Sequence, residues 1–144
     1  MRWMKIAALA GALGVSAAVA GSGFAAAHNE RESVMKHIKR ALRPLAEMHK
    51  AGNFDPAETA KRGQEIADYL QQFKDLFPAG SEQMDDQAKP NIWTDRAGFE
   101  TARGNAVAAA VAMAGATDPA SFEIRYKSLS AACTACHDKY ANLK

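Results

Sequence analysis

No stretch of the 144 residues alternates apolar and β-branched positions with polar ones over four or more residues, so nothing reads as a half-buried strand. Lysine and arginine never cluster into a run long enough to form a nucleic-acid footprint, which excludes that class of partner. No apolar stretch reaches the roughly 20 residues that a membrane-spanning helix needs. Cysteine is scarce: there are two, both in the last dozen positions. A chain of this length can bury one core without disulfide staples, so the pair calls for another explanation.

The chain opens with Met1, Arg2, Trp3, Met4 and Lys5, continues through an uncharged Ala/Gly/Val-rich stretch from Ile6 to Ala20, and reaches Ala25-Ala26-Ala27. A charged start, a short apolar run and a small-residue site in that order read as a secretory signal peptide, residues 1–27, cut after Ala27. Residues 28–144 then make one domain in the bacterial periplasm. The leader holds two of the 18 basic residues and none of the 16 acidic ones, so the exported domain balances 16 against 16.

Four segments carry a helical period, which predicts an all-α fold. The first is expected from about Asn29 to Lys50, with Val34, Met35, Ile38, Ala41, Leu42, Leu45 and Met48 on one stripe and a bend at Pro44. Asp55-Pro56 starts the second, an N-cap oxygen followed by a proline at the first helical position, and its stripe is Gly63, Ile66, Leu70, Phe73 and Phe77. Residues 78–91 read as a loop. An Ala-rich third helix is expected from Thr94 to Gly115. Asp118-Pro119 starts the fourth, along which Phe122, Tyr126, Leu129, Cys133, Cys136 and Tyr140 form a heptad seam. Short connections on either side of the long loop favour an antiparallel up-down four-helix bundle.

Cys133-Thr134-Ala135-Cys136-His137 is C-x-x-C-H, the attachment signature for c-type haem. On a helix the two sulfurs point the same way and can reach two vinyl groups on one haem edge, while His137 can turn its imidazole under the iron. Three rival readings fit less well. A thioredoxin-like redox pair expects a strand before it and a helix starting at it. Zinc would need further ligands at finger-like spacing, which His28, His37 and His49 do not supply. A disulfide across two helical residues would be strained. Nothing here requires a catalytic acid, base or nucleophile.

With a signal peptide, four helices and C-x-x-C-H near its C-terminal end, the chain resembles the class II cytochromes c, the cytochrome c′ family. Phe77-Pro78-Ala79-Gly80-Ser81 and Ala88-Lys89-Pro90-Asn91-Ile92-Trp93 look like that family's long loop over the haem edge, and Cys136-His137-Asp138-Lys139-Tyr140 like its proximal segment. Arg31-Glu32-Ser33-Val34-Met35-Lys36 resembles its first-helix segment. The resemblance implies one covalent haem c, thioethers from Cys133 and Cys136, iron ligation by His137, Arg31 on a propionate and Trp93 against the haem. It also implies that Met35 faces the iron opposite His137, bound to it in a low-spin branch and unbound in five-coordinate members that admit small gases.

The expectation is a one-electron carrier with His137 and Met35 as axial ligands, serving periplasmic or membrane-bound redox partners. The alternative is a high-spin protein binding nitric oxide or carbon monoxide. A small peroxidase is disfavoured, because no distal His or Arg reads as placed to cleave a peroxide. The family commonly carries an Arg four residues after the haem histidine, where this chain has Ala141. Family members commonly pair through their first two helices, so a homodimer is also expected, although Arg62, Gly63 and Gln64 do not decide it. His37 should point away from Met35 and His49 should lie at the surface. Trp93, Phe99 and Tyr126 either line the pocket or fill the bundle.

The leader has a direct check. Mass spectrometry of the exported protein is expected to find a chain beginning at His28, and a retained Met1 to Ala27 segment would contradict the cleavage.

Overall fold

The computed structural model describes residues 16–82 and 87–143, with side chains from residue 23 onward. The charged start of the leader, most of its apolar run, part of the long loop and Lys144 lie outside the described residues. Helices run Ser16–Ala51 (α1), Pro56–Gln72 (α2), Asn91–Thr94 (α3), Arg96–Ala114 (α4) and Pro119–Tyr140 (α5). One antiparallel bridge, Ala88 to Ala141, is the sole β-type pairing among the described residues. The four long helices make the expected all-α, four-helix bundle. Among the described residues no helix is long and apolar enough to cross a membrane.

Local chemistry accounts for most boundaries. α1 starts well before Asn29 because the alanine-rich residues ahead of it are strong helix formers. It carries Pro44 in its interior and ends at Gly52, whose φ of 67° suits a residue without Cβ. Asp55 caps α2 by accepting from the Glu58 N–H at 2.8 Å. α5 opens with a capping box between Asp118 and Ser121.

Two expectations shift. α2 stops at Gln72 and passes into a 3-10 turn over Phe73–Asp75, so Phe73 and Phe77 leave its stripe; Pro78 cannot continue a helix and biases Phe77 away from one. A short helix, α3, precedes the expected third helix, which starts at Arg96 after a break at Asp95 (φ −120°, ψ 55°), whose carboxylate caps α4 by accepting from the Gly98 N–H at 3.1 Å.

Val34, Ile38, Ala41 and Leu45 of α1, Ile66, Ala67 and Leu70 of α2, Ala106, Ala110 and Met113 of α4, and Phe122 and Leu129 of α5 form the main core. Phe77, Ile92, Phe99 and Tyr140 form a smaller one towards the long loop. Cys133 packs against the first and Cys136 against the second, so the C-x-x-C-H motif straddles both. α2 packs extensively on α1 and α4, and α4 on α5, whereas α1 and α5 touch along only a few residues.

α2 and α4 approach closely at Gly63, where an added Cβ would stand 2.7 Å from the Ala114 Cα. Gly63→Ala is expected to cost about 1–3 kcal/mol through overpacking. Gly104→Ala, where a Cβ meets nothing, should instead gain roughly 0.5–1 kcal/mol. Urea midpoints of both variants check the pair, and equal effects would contradict the close approach.

Candidate functional site

A cavity of about 420 Å³ opens where α1 and α5 stand apart, a size within the range of small-molecule and cofactor sites. α5 supplies Cys133, Cys136, His137 and Tyr140, spaced so that about two turns of helix bring them to one wall. α1 supplies Arg31, Met35, Ile38 and Leu42 at the same periodicity. Leu70 and Phe73 close it from α2 and the turn that follows, Phe99 and Ala106 from α4, and Ala88 and Ile92 from the loop and α3.

Burial pushes both thiols, Cys133 and Cys136, above their ordinary pKa and so keeps them protonated. It also lowers the His137 pKa, with Asp138 opposing, which favours the neutral imidazole that can ligate a metal. Neither cysteine is in a disulfide. Among the described residues no three His, Cys, Asp or Glu side chains converge as a metal cluster.

The structure brings Cys133, Cys136, His137, Met35, Arg31 and Phe99 to one cavity. Arg31 is 3% exposed, donates from Nη1 to the Leu76 carbonyl at 2.7 Å and lies 5.0 Å over the Phe77 ring. Trp93 is not on the cavity wall. Its indole N–H donates to the Pro78 carbonyl at 3.0 Å and its ring meets Phe77 edge-on, so it backs a residue of the wall. His37 points away from Met35 but stacks on Tyr69 of α2. His49 is partly covered, paired with Glu123 at 2.6 Å and stacked on Tyr126, which lies away from the cavity. His28 is on α1 outside it.

Sequence reasoning missed two features. The first is Arg103, which reaches the cavity from α4 one turn after Phe99. It donates to the Leu70 carbonyl at 3.1 Å and pairs with Glu100 at 2.8 Å. Its i+4 spacing from Phe99 was the available signal. Arg31, Arg96 and Arg103 together hold carbonyls of residues 70–77, the segment that carries Phe73 and Phe77.

The second is a strap across the end of α5. The Lys89 N–H donates to the Tyr140 carbonyl at 3.0 Å, Asn91 Nδ2 to the Lys139 carbonyl at 2.8 Å, and the Asn142 N–H to the Gln87 carbonyl at 2.7 Å. Asp95 Oδ2 accepts from Lys139 Nζ at 2.7 Å and from the Tyr140 hydroxyl at 3.0 Å.

The sequence model of the Cytochrome C′ family matches residues 26–141. The chain belongs to the cytochrome c′ family. It is 35% identical to a cytochrome c′ of Rhodopseudomonas palustris over 144 residues, 95% of each chain. It is 33% identical to a cytochrome c-556 of Agrobacterium fabrum, over 95% of this chain and 96% of that one. A solved structure of cytochrome c′ from Rhodopseudomonas palustris superposes with a TM-score of 0.76 at 32% identity, covering 82% of this chain and 97% of that one. The cofactor of this cytochrome c′ family member is therefore a covalently attached haem c with its iron. The residues present fit it: two thiols and a neutral imidazole on one wall of an otherwise largely apolar cavity.

The Lys139 ammonium, the Tyr140 hydroxyl and the Gly98 N–H hold the Asp95 carboxyl below its ordinary 3.8. A carboxylate lowered by folding contributes stability in full above its unfolded pKa and loses it as pH falls through the folded value. Asp95→Asn is expected to remove this part of the acid dependence. Urea midpoints of wild type and variant should converge below pH 3.8, and parallel curves would contradict the network.

Proposed function

We propose that this chain is a periplasmic cytochrome c′ in which Cys133 and Cys136 hold haem c by thioethers, His137 is the axial iron ligand, and the side bordered by Met35 admits nitric oxide or carbon monoxide. The observation that carries the reading is the sharing of one cavity by Met35, both cysteines and His137. The family and the cytochrome c′ relatives support the gas-binding form over the methionine-ligated carrier expected from the sequence. Haem c supplies a one-electron change at iron and a coordination position for a diatomic ligand. Export with cleavage after Ala27 belongs to the same reading.

The chain's own residues do the rest. Burial holds the His137 imidazole in its ligating form, and Ile38, Leu42, Phe73 and Phe99 keep water away from the reacting face. Arg31 stands at the cavity as the partner for a propionate carboxylate. No side chain is given an acid, base or nucleophile role.

A second reading keeps Met35 as sixth ligand and makes the protein a one-electron carrier for periplasmic or membrane-bound redox partners. What favours it is that Met35 lines the cavity, partly buried against the main core, and that a thioether is a competent axial ligand that raises the reduction potential. Pairing of two copies through α1 and α2 is compatible with either.

Optical spectra of the purified protein, with and without carbon monoxide, test the choice. A high-spin spectrum that shifts on adding the gas is expected, with Met35→Ala keeping the spin state and changing only the affinity. A low-spin ferric spectrum that ignores carbon monoxide, converted to high spin by Met35→Ala, would overturn gas binding and establish the carrier.

A further inference from the structure

The helix that carries His137 ends three residues later at Tyr140. A helix end of this kind frays unless something outside it holds the last carbonyls and side chains. Here the restraint comes from a segment more than 40 residues earlier. Asp95, at the break between α3 and α4, uses Oδ1 to cap α4 through the Gly98 N–H and Oδ2 to accept from Lys139 and Tyr140. Tyr140 is 2% exposed, lines the cavity and sets its ring edge-on to Phe99 at 5.3 Å. The close approach is matched by Gly98, where an added Cβ would stand 2.6 Å from the Tyr140 hydroxyl and closer still to the Asp95 carboxylate.

We infer that Asp95 is a positioning residue for the iron ligand: through Tyr140 and Lys139 it fixes the last turn of α5, and with it the orientation of the His137 imidazole. The inference rests on His137 being the axial ligand. Tyr140 lies three residues after His137, so a ring pinned at both Asp95 and Phe99 fixes the helical face that carries the imidazole. The loop bonds to the carbonyls of Asp138, Lys139 and Tyr140 hold the same turn from its backbone. Groups of this kind orient a metal ligand without touching the metal. The Lys139–Asp95 pair adds a charge contact at the same turn.

The test compares Asp95→Ala, Asp95→Asn and Tyr140→Phe holoproteins in a Met35→Ala background, so that the iron–histidine stretching band in ferrous resonance Raman spectra is readable whichever group fills the sixth position. Tyr140→Phe and Asp95→Ala are expected to shift or broaden that band. Amide exchange over residues 138–142 should quicken roughly tenfold, the size of one lost hydrogen bond to a charged acceptor. Asp95→Asn, which still caps α4 and still accepts from Tyr140, should restore the band towards its unsubstituted position. Variants that lower the melting temperature but leave the band unmoved would overturn the positioning role and leave Asp95 a helix cap. Absence of the band without any Asp95 or Tyr140 substitution would overturn the His137 assignment and the inference with it.

Discussion

The separation of α1 from α5 is the constraint on which the rest of the structure depends. Three of the four neighbouring helix pairs pack closely, but the pair that would complete the ring is held apart, and the cavity occupies the difference. A cavity that receives a flat cofactor needs its walls held by contacts outside it, because the cofactor's orientation follows from theirs. The walls are kept in place by contacts outside the gap: α2 against both α1 and α4, with Gly63 allowing backbone approach, and α4 against α5.

Polar groups at the bundle's loop end complete that restraint. The exit of α2 would leave carbonyls without partners, and three arginines from two helices take them up, so Phe73 and Phe77 are fixed as wall. Buried charged donors on backbone carbonyls carry a desolvation cost that only full hydrogen bonding offsets, which ties the position of Arg31 to that of the segment it holds. On the other side, the strap over residues 87–91 and the Asp95 carboxylate anchor the end of α5. The result is a rigid frame around two thiols and an imidazole, suited to a cofactor whose orientation decides its chemistry.

Much of this was legible in the sequence. The stripes on α1, α2 and α5 named the main core, because an apolar residue every three or four positions has one way to be buried. C-x-x-C-H and the family resemblance singled out Cys133, Cys136, His137, Arg31 and Met35, all of which line one cavity. The start of α1 was misjudged because alanine propensity carries a helix into residues read as a leader. The loop resemblance sets Trp93 against the haem; in the fold its indole N–H donates to the Pro78 carbonyl behind Phe77, a partner that the sequence does not mark. Arg103 was passed over within an alanine-rich helix. The Asp95 network and the strap leave no local signature at all: their partners lie more than 40 residues away and are mostly backbone carbonyls, which look alike in any sequence.

The most direct test of the account is the intact mass of the purified protein after denaturation and thiol alkylation. A chain carrying one haem with neither Cys133 nor Cys136 alkylated is the expected result. A haem-free chain with both thiols alkylated, or joined to each other as a disulfide, would contradict the assignment of the cavity between α1 and α5 as a covalent haem site.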